Sequence, residues 1–203
     1  MRQTPDKTPD RAPNRAVFLD RDGTVNVEKD YLIDPREFAF IPGVPAAIAQ
    51  LKRAGYLVVI ATNQSGIARG YFTHSQVAHL HQYLQTELKK YHTAVDAFYL
   101  CPHHPTAGSG EFTCTCACRK GEPGMLLQAA AELNIDLSRS YMVGDKGADL
   151  QAGISAGCHP VLVRTGYGEQ TLKQAQTTAW LERGVIDVCA DLAAAARLIL
   201  ARG

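Results

Sequence analysis

Short apolar runs rich in β-branched and aromatic residues recur at positions 15–20, 56–61, 95–100, 140–144 and 159–163. Runs of that length and composition predict buried strands. Between most of them the apolar residues fall at helical spacing instead. Pro42-Gly43 opens a helix over 44–54, with Ile48 and Leu51 on one stripe and Gly55 as its stop. Thr73 and Gln76 form a capping box for a second helix reaching about Tyr91, whose apolar face carries Val77, Leu80, Leu84 and Leu88. His74, His79 and His81 fall on or near that helix and are expected on its surface rather than around a metal. Met125 to Leu133, Asp149 to Ala156 and Asp191 to Leu200 complete the helical segments.

Strands alternating with helices predict an α/β fold, a Rossmann-like three-layer sandwich of mostly parallel sheet with helices on both faces. Ligands in such folds gather at the carboxyl ends of the strands. Residues 15–203 are expected to form one domain, since no large second or cap domain fits between the motifs. The first fourteen residues, rich in Pro, Asp, Lys and Arg, read as a disordered tail without the apolar segment of a secretory signal. With 21 basic against 20 acidic side chains there is no global field for nucleic acid or a membrane surface, so any anion site must be local. No stretch approaches the ~20 apolar residues of a membrane span. A cytoplasmic protein with reduced thiols is expected, and a monomer, because no long amphipathic seam demands association.

The strand-like run Val17-Phe18-Leu19 ends in Asp20-Arg21-Asp22-Gly23-Thr24. Two carboxylates at one strand end repel unless a shared proton or a cation compensates, which points to a hard, oxygen-seeking metal such as Mg²⁺. An ordinary Asp-Gly turn explains most isolated stretches of this kind. Three later residues change the reading: Thr62 after Leu57-Val58-Val59-Ile60-Ala61, Lys120 in Cys118-Arg119-Lys120-Gly121, and Asp145 after Tyr141-Met142-Val143-Gly144.

In that chain order the set resembles the haloacid dehalogenase-like phosphotransferase superfamily. The resemblance implies that Asp20 is a nucleophile forming an aspartyl-phosphate and that Asp22 is the acid and then the base. It further implies that Thr62 and Lys120 are donors to the phosphoryl oxygens, with Asn63, Gln64 and Ser65 on the substrate side. Catalytic Mg²⁺ would be held by Asp20, the backbone carbonyl of Asp22 and Asp145. Asp149 is expected to orient a metal-bound water or to pair with Lys146.

A second constellation is Cys101-Pro102-His103, twelve intervening residues, then Cys116-Ala117-Cys118. Three thiolates and an imidazole suit tetrahedral Zn²⁺, and four protein ligands close its shell, so a structural site on a loop is expected. Cys114 in place of Cys116, or His104 in place of His103, remains open. Zinc there would fix Arg119 and Lys120, which follow directly.

Thr62-Asn63-Gln64-Ser65-Gly66-Ile67-Ala68-Arg69-Gly70, Cys101-Pro102-His103-His104-Pro105, Gly144-Asp145-Lys146 and Arg164-Thr165-Gly166 narrow the likeness. Together they are similar to the heptose bisphosphate phosphatase family, cytoplasmic bacterial enzymes of nucleotide-activated heptose synthesis. One departure is Gly121, where that family usually has Pro; glycine there loosens the Lys120 loop. The implied ligand is a small sugar with phosphate at both ends. Arg119 is the leading cation for the second phosphate, with Arg69 and Lys146 behind it. The segment Asn26 to Ile41, with Glu28, Lys29, Asp30 and Tyr31, is expected to border the pocket, although a surface excursion is an equal reading. Two rivals stand beside this one. A histidinol-phosphate phosphatase would use Glu28 or Asp30 for an amine, and a zinc-stabilised binding domain would catalyse nothing.

Overall fold

In the computed structural model, which describes residues 12–203, alternate residues of the first strand, β1 (Arg15–Leu19), enter opposite layers. Val17 and Leu19 join one apolar cluster and Ala16 and Phe18 the other, as the two-residue period of a strand requires. The second strand, β2 (Tyr56–Asn63), divides in the same way, with Val58 and Ile60 on the first side and Val59 and Ala61 on the second. Both strands are therefore covered on both faces, and their sequences read as continuous apolar runs.

β3 (Ala97–Cys101), β4 (Tyr141–Gly144), β5 (His159–Val163) and β6 (Asp187–Cys189) complete one sheet in the order β3-β2-β1-β4-β5-β6. Every pairing is parallel. The chain runs outward from β1 to β3, then restarts beside β1 with β4 and runs the other way. The boundary between β1 and β4 is thus a topological switch point, where a crevice opens at the carboxyl ends of the strands.

Helices α1 (Val44–Arg53), α2 (His74–Lys89) and α7 (Leu192–Arg202) pack on the first face through Ile48, Leu51, Leu84, Leu88, Ala195 and Ile199. On the second face lies α3 (Gly124–Leu133), through Met125, Leu126 and Ala129. Leu150 and Ile154 of α4 (Gly147–Ala156) pack with Leu162, Leu172 of α5 (Gly168–Leu172) and Trp180 of α6 (Ala175–Glu182). The α2 capping box forms: Gln76 N–H donates to Thr73 Oγ1 at 3.3 Å and Thr73 N–H to Gln76 Oε1 at 2.9 Å.

Two expectations change. His81 is buried at 6% exposure, not on the surface, because α2 turns that position toward Phe98 of β3, whose ring it stacks at 4.4 Å. His74 and His79 are exposed. The strand expected to end before Thr62 continues through Asn63, because Ala61, Thr62 and Asn63 still pair with Tyr99, Leu100 and Cys101. Residues 1–11 of the expected tail lie outside the described residues. Asn14, at its end, is held by Asn14 N–H to Asn134 O and Asn14 Nδ2 to Leu133 O, both 2.7 Å. Among the described residues no helix is long and apolar enough to cross a membrane.

Candidate active site

Asp20 follows β1 directly, Asp145 follows β4 directly, and Thr62 is the penultimate residue of β2, so three adjacent strands deliver them to one crevice. All three are buried, at 5%, 0% and 1% exposure. Lys120 arrives from the loop before α3 and is also buried. Its Nζ lies 2.5 Å from Asp20 Oδ1 and 2.8 Å from Asp149 Oδ1. Burial alone would weaken the lysine's charge, but Asp149 and Asp20 outweigh it and hold its pKa above the ordinary value. Lys120 is therefore a fixed cation.

Its backbone is fixed too. Lys120 N–H donates to Asn63 Oδ1 at 2.9 Å, and Gly121 N–H donates to Ala148 O at 3.0 Å. Gly121 has φ +101°, which proline cannot adopt, and proline has no N–H. At this departure from the family's usual residue, the loop gains a bond to α4 that proline could not make.

The carboxylates of Asp20, Asp145 and Asp149 offer oxygens that all lie within 4.8 Å of one another. Asp145 Oδ2 accepts from Tyr167 N–H at 2.7 Å, while Asp145 Oδ1 is buried with no hydrogen-bond partner among the described residues. Burial, then repulsion from Asp20 and Asp149, pushes the Asp145 pKa up to about 8. Burial likewise raises Asp20 to about 6, with Lys120 working against it. An orphaned carboxyl oxygen among buried acids that repel one another is what a bound divalent cation would satisfy, so the donor set fits a hard metal. Asp149 is otherwise engaged: Oδ1 pairs with Lys120 and Oδ2 accepts from Lys146 N–H at 3.0 Å, capping α4. The expected Asp149–Lys146 partnership is thus a backbone cap, and the side-chain partner is Lys120.

Asp22 stands outside that acidic cluster. Arg21 Nη2 approaches its Oδ2 at 2.8 Å and Arg21 Nε its Oδ1 at 3.2 Å. Asn26 Nδ2 donates to Oδ1 at 3.0 Å and Gln64 Nε2 to Oδ2 at 3.1 Å. Burial would raise the Asp22 pKa, yet the Arg21 charge and these hydrogen bonds outweigh it and leave it lowered. Gln64 Nε2 also donates to Thr62 Oγ1 at 2.8 Å, which occupies an acceptor position of the hydroxyl and leaves its hydrogen free to donate.

A cavity of about 470 Å³ opens over this crevice, lined by Asp22, Glu28, Asp30, Tyr31, Asn63, Gln64, Ser65, Arg119, Lys120, Lys146, Ala148 and Tyr167. Lys29, expected with them, is exposed and absent from the lining, which takes Glu28 and Asp30 on either side of it. Lys146 Nζ pairs with Glu28 Oε2 at 2.8 Å and lies 4.7 Å from the Tyr167 ring centroid. Tyr167 OH lies 3.1 Å from Asp30 Oδ1. The sequence reading missed Arg21, Asp149 as the partner of Lys120, and Tyr167. Arg164-Thr165-Gly166, directly before Tyr167, was the available signal for the last.

Two glycines let the loops beside Asp145 meet. Gly23 has φ +86° and Gly166 φ +55°, and a Cβ on either would stand 2.2 Å from Asp145 Oδ2. Thr165 Oγ1 donates to Gly23 O at 2.6 Å and closes that contact.

Beside the cavity, Cys101 Sγ lies 3.6 Å from His103 Nδ1 and 3.6 Å from Cys116 Sγ. Cys118 Sγ lies 3.3 Å from His103 Nδ1 and 3.4 Å from Cys116 Sγ. A zinc–sulfur bond of about 2.3 Å gives tetrahedral edges of roughly 3.8 Å, so these four atoms already approximate a zinc shell. The four that converge are Cys101, His103, Cys116 and Cys118, with Cys114 outside the group. His104 turns away, its Nδ1 accepting from Ala107 N–H at 2.9 Å. All six cysteines are free of disulfides. Arg119 Nη1 donates to His103 O at 2.9 Å, which ties a cavity-lining guanidinium to this loop.

The parallel sheet, its switch-point crevice and the acid, hydroxyl and lysine gathered there define a haloacid dehalogenase-like phosphatase. A HAD-hydrolase-like family model matches residues 117–195, which include Lys120 and Asp145. The D-glycero-beta-D-manno-heptose-1,7-bisphosphate 7-phosphatase of Yersinia pestis is 52% identical over 152 residues, 74% of this chain and 81% of that protein. The protein of the same name from Photorhabdus laumondii is 45% identical over 178 residues, 87% and 92% of the two chains. The crystal structure of D,D-heptose 1,7-bisphosphate phosphatase from B. bronchiseptica, complexed with magnesium and phosphate, is 40% identical with a TM-score of 0.78. It matches over 93% of this chain and 99% of that one. The chain belongs to the heptose bisphosphate phosphatase family.

Proposed function

We propose that this protein removes the 7-phosphate of D-glycero-β-D-manno-heptose 1,7-bisphosphate by way of an aspartyl-phosphate on Asp20. The observation that carries this reading is that adjacent strand ends deliver Asp20, Thr62 and Asp145 to one crevice, with Lys120 Nζ 2.5 Å from Asp20 and a neighbouring cavity lined by Lys120 and Arg119. Asp20 Oδ1 is taken by Lys120 Nζ and by Arg21 N–H at 2.8 Å, so Oδ2 is the oxygen that attacks phosphorus. Thr62 and Lys120 donate to the phosphoryl oxygens as charge develops on them. The sugar alkoxide leaves with a proton from Asp22, and the same carboxylate later takes a proton from the water that opens the aspartyl-phosphate. Asp22 is held ionised in the free protein. The negative charge of an arriving phosphate raises its pKa and lets it carry that proton.

Mg²⁺ would be held by Asp20, the Asp22 carbonyl and Asp145, where the unpartnered Asp145 oxygen calls for a cation. When bound it supplies positive charge that lets a dianionic phosphate sit beside buried carboxylates. Zn²⁺ would be held by Cys101, His103, Cys116 and Cys118 as a structural ion that folds their loop and so steadies Arg119. Arg119 is the partner of the 1-phosphate, because a guanidinium fork matches a phosphate. Glu28 is already paired with Lys146, so it is not free to receive the amine of histidinol phosphate.

The test is kcat/KM for both heptose bisphosphate anomers and for histidinol phosphate, since discrimination is a ratio of those values. The β anomer is expected to rank first. A higher value for histidinol phosphate, or no phosphate release from any of the three, would overturn the assignment.

A further inference from the structure

Among the described residues Arg21 is the largest fully buried side chain, and a guanidinium in that position must spend its hydrogen-bond donors within the protein. Nε and Nη2 address Asp22, and Nη2 also reaches Leu32 O at 3.3 Å. Nη1 reaches one side chain, His81 Nε2, at 3.3 Å. Arginine has no acceptor, so His81 must accept there with a lone pair and carry its hydrogen on Nδ1. Burial, then the Arg21 charge, lowers the His81 pKa to about 3, which keeps the ring neutral and able to accept. Its plane is fixed by stacking on Phe98 at 4.4 Å and an interplanar angle of 18°. Helix α2 and strand β3 thus clamp a guanidinium that comes from the loop after β1.

We propose that His81 is a positioning residue for Asp22. By fixing Arg21 it sets the orientation of the carboxylate that protonates the departing sugar oxygen. The mechanical reason is the fork: Arg21 grips both Asp22 oxygens, so rotation of the guanidinium rotates the carboxylate with it. Nη1 is the end of the guanidinium remote from Asp22, where a single partner has the longest lever on that rotation. This inference rests on Asp22 acting as the acid in the proposed reaction.

The experiment compares kcat/KM on heptose bisphosphate, whose alkoxide needs a proton to leave, with kcat/KM on 4-nitrophenyl phosphate, whose phenolate does not. Using kcat/KM confines the comparison to steps up to phosphorylation of Asp20. His81→Phe keeps the stacking and removes the acceptor. It is expected to lower the bisphosphate value by about 10- to 100-fold and the nitrophenyl value by no more than about 2-fold. His81→Gln, which restores an acceptor, is expected to recover most of the loss. If His81→Phe does not fold, Arg21→Lys, which keeps the charge without the fork, is expected to show the same split between substrates. Equal losses on both substrates, or no loss on either, would overturn the proposal and leave His81 as packing. Asp22→Asn is the control that separates the two levels. A split with Asp22→Asn but none with His81→Phe or Arg21→Lys sinks only the positioning role, whereas no split with Asp22→Asn removes the acid role and this inference with it.

Discussion

Asp149 Oδ1 lies 2.8 Å from Lys120 Nζ, both side chains being almost fully buried. Asp149 thereby steadies the cation that also touches Asp20, while its other oxygen caps the helix on which it sits. Removing one partner of a buried pair strands the other's charge. Asp149→Ala is therefore expected to lower unfolding free energy by about 3 kcal/mol, measured by denaturant titration, and to lower kcat through a displaced Lys120. Unchanged stability and kcat would show that Asp20 alone suffices to hold the lysine.

The acidic cluster gives the magnesium-free protein a pH dependence of definite sign. Asp145 titrates at about 8 and Asp20 at about 6 in the folded chain, against 3.8 for the ordinary group, so between those values the folded state binds more protons than the unfolded. The contribution of these two carboxylates to stability then falls as pH rises from about 4 to about 8, offset in part below about 6.5 by His81, which the folded chain holds neutral. Added Mg²⁺ favours the ionised carboxylates, so its stabilising effect grows over the same window. Thermal melts at several pH values with and without Mg²⁺ check this. A magnesium increment independent of pH would contradict it.

Gly166 admits no side chain, because a Cβ there would stand 2.2 Å from Asp145 Oδ2 and 2.6 Å from Gly23 Cα. Gly166→Ala is expected to swing Asp145 from its place and raise the Mg²⁺ concentration needed for half activity by about 10- to 100-fold, read from a magnesium titration of kcat. The positive φ adds strain of about 1–2 kcal/mol that a melt would also register.

Cys118→Ser opens the four-ligand group next to Arg119. Expected outcomes are loss of bound zinc in metal analysis, a lower melting temperature, and a KM for bisphosphate that rises more than that for a monophosphate. Arg119→Ala is expected to reproduce the KM pattern without the loss of zinc. Equal KM effects on both substrates would remove Arg119 from the second-phosphate role.

How far the chain could be read in advance follows from how local each signal is. The strands beginning at Arg15, Tyr56, Tyr141 and His159 announced themselves because each is an apolar run, covered on both faces. β6 spans only Asp187 to Cys189, and α5 five residues, both too short for a period to show. The acidic pair at Asp20 and Asp22 and the Cys101–Cys118 spacing are local patterns and were legible. The Arg21–His81 contact crosses 60 residues and Lys120 meets Asp20 across 100, so what those side chains touch depended on packing that no window of sequence contains. His81 was misplaced for that reason: on α2 it stands next to Leu80, but only the approach of Phe98 and Arg21 makes its side of the helix an interior one.

In the proposed reaction Asp20 carries the phosphoryl group. Heptose bisphosphate labelled with ³²P at the 7-position, acid-quenched during turnover with Mg²⁺ present, tests it by peptide mapping of the protein-bound label. Label on the peptide containing Asp20, and none in Asp20→Asn, is the expected result. Turnover that persists in Asp20→Asn, with no label on the protein at any time, would contradict it.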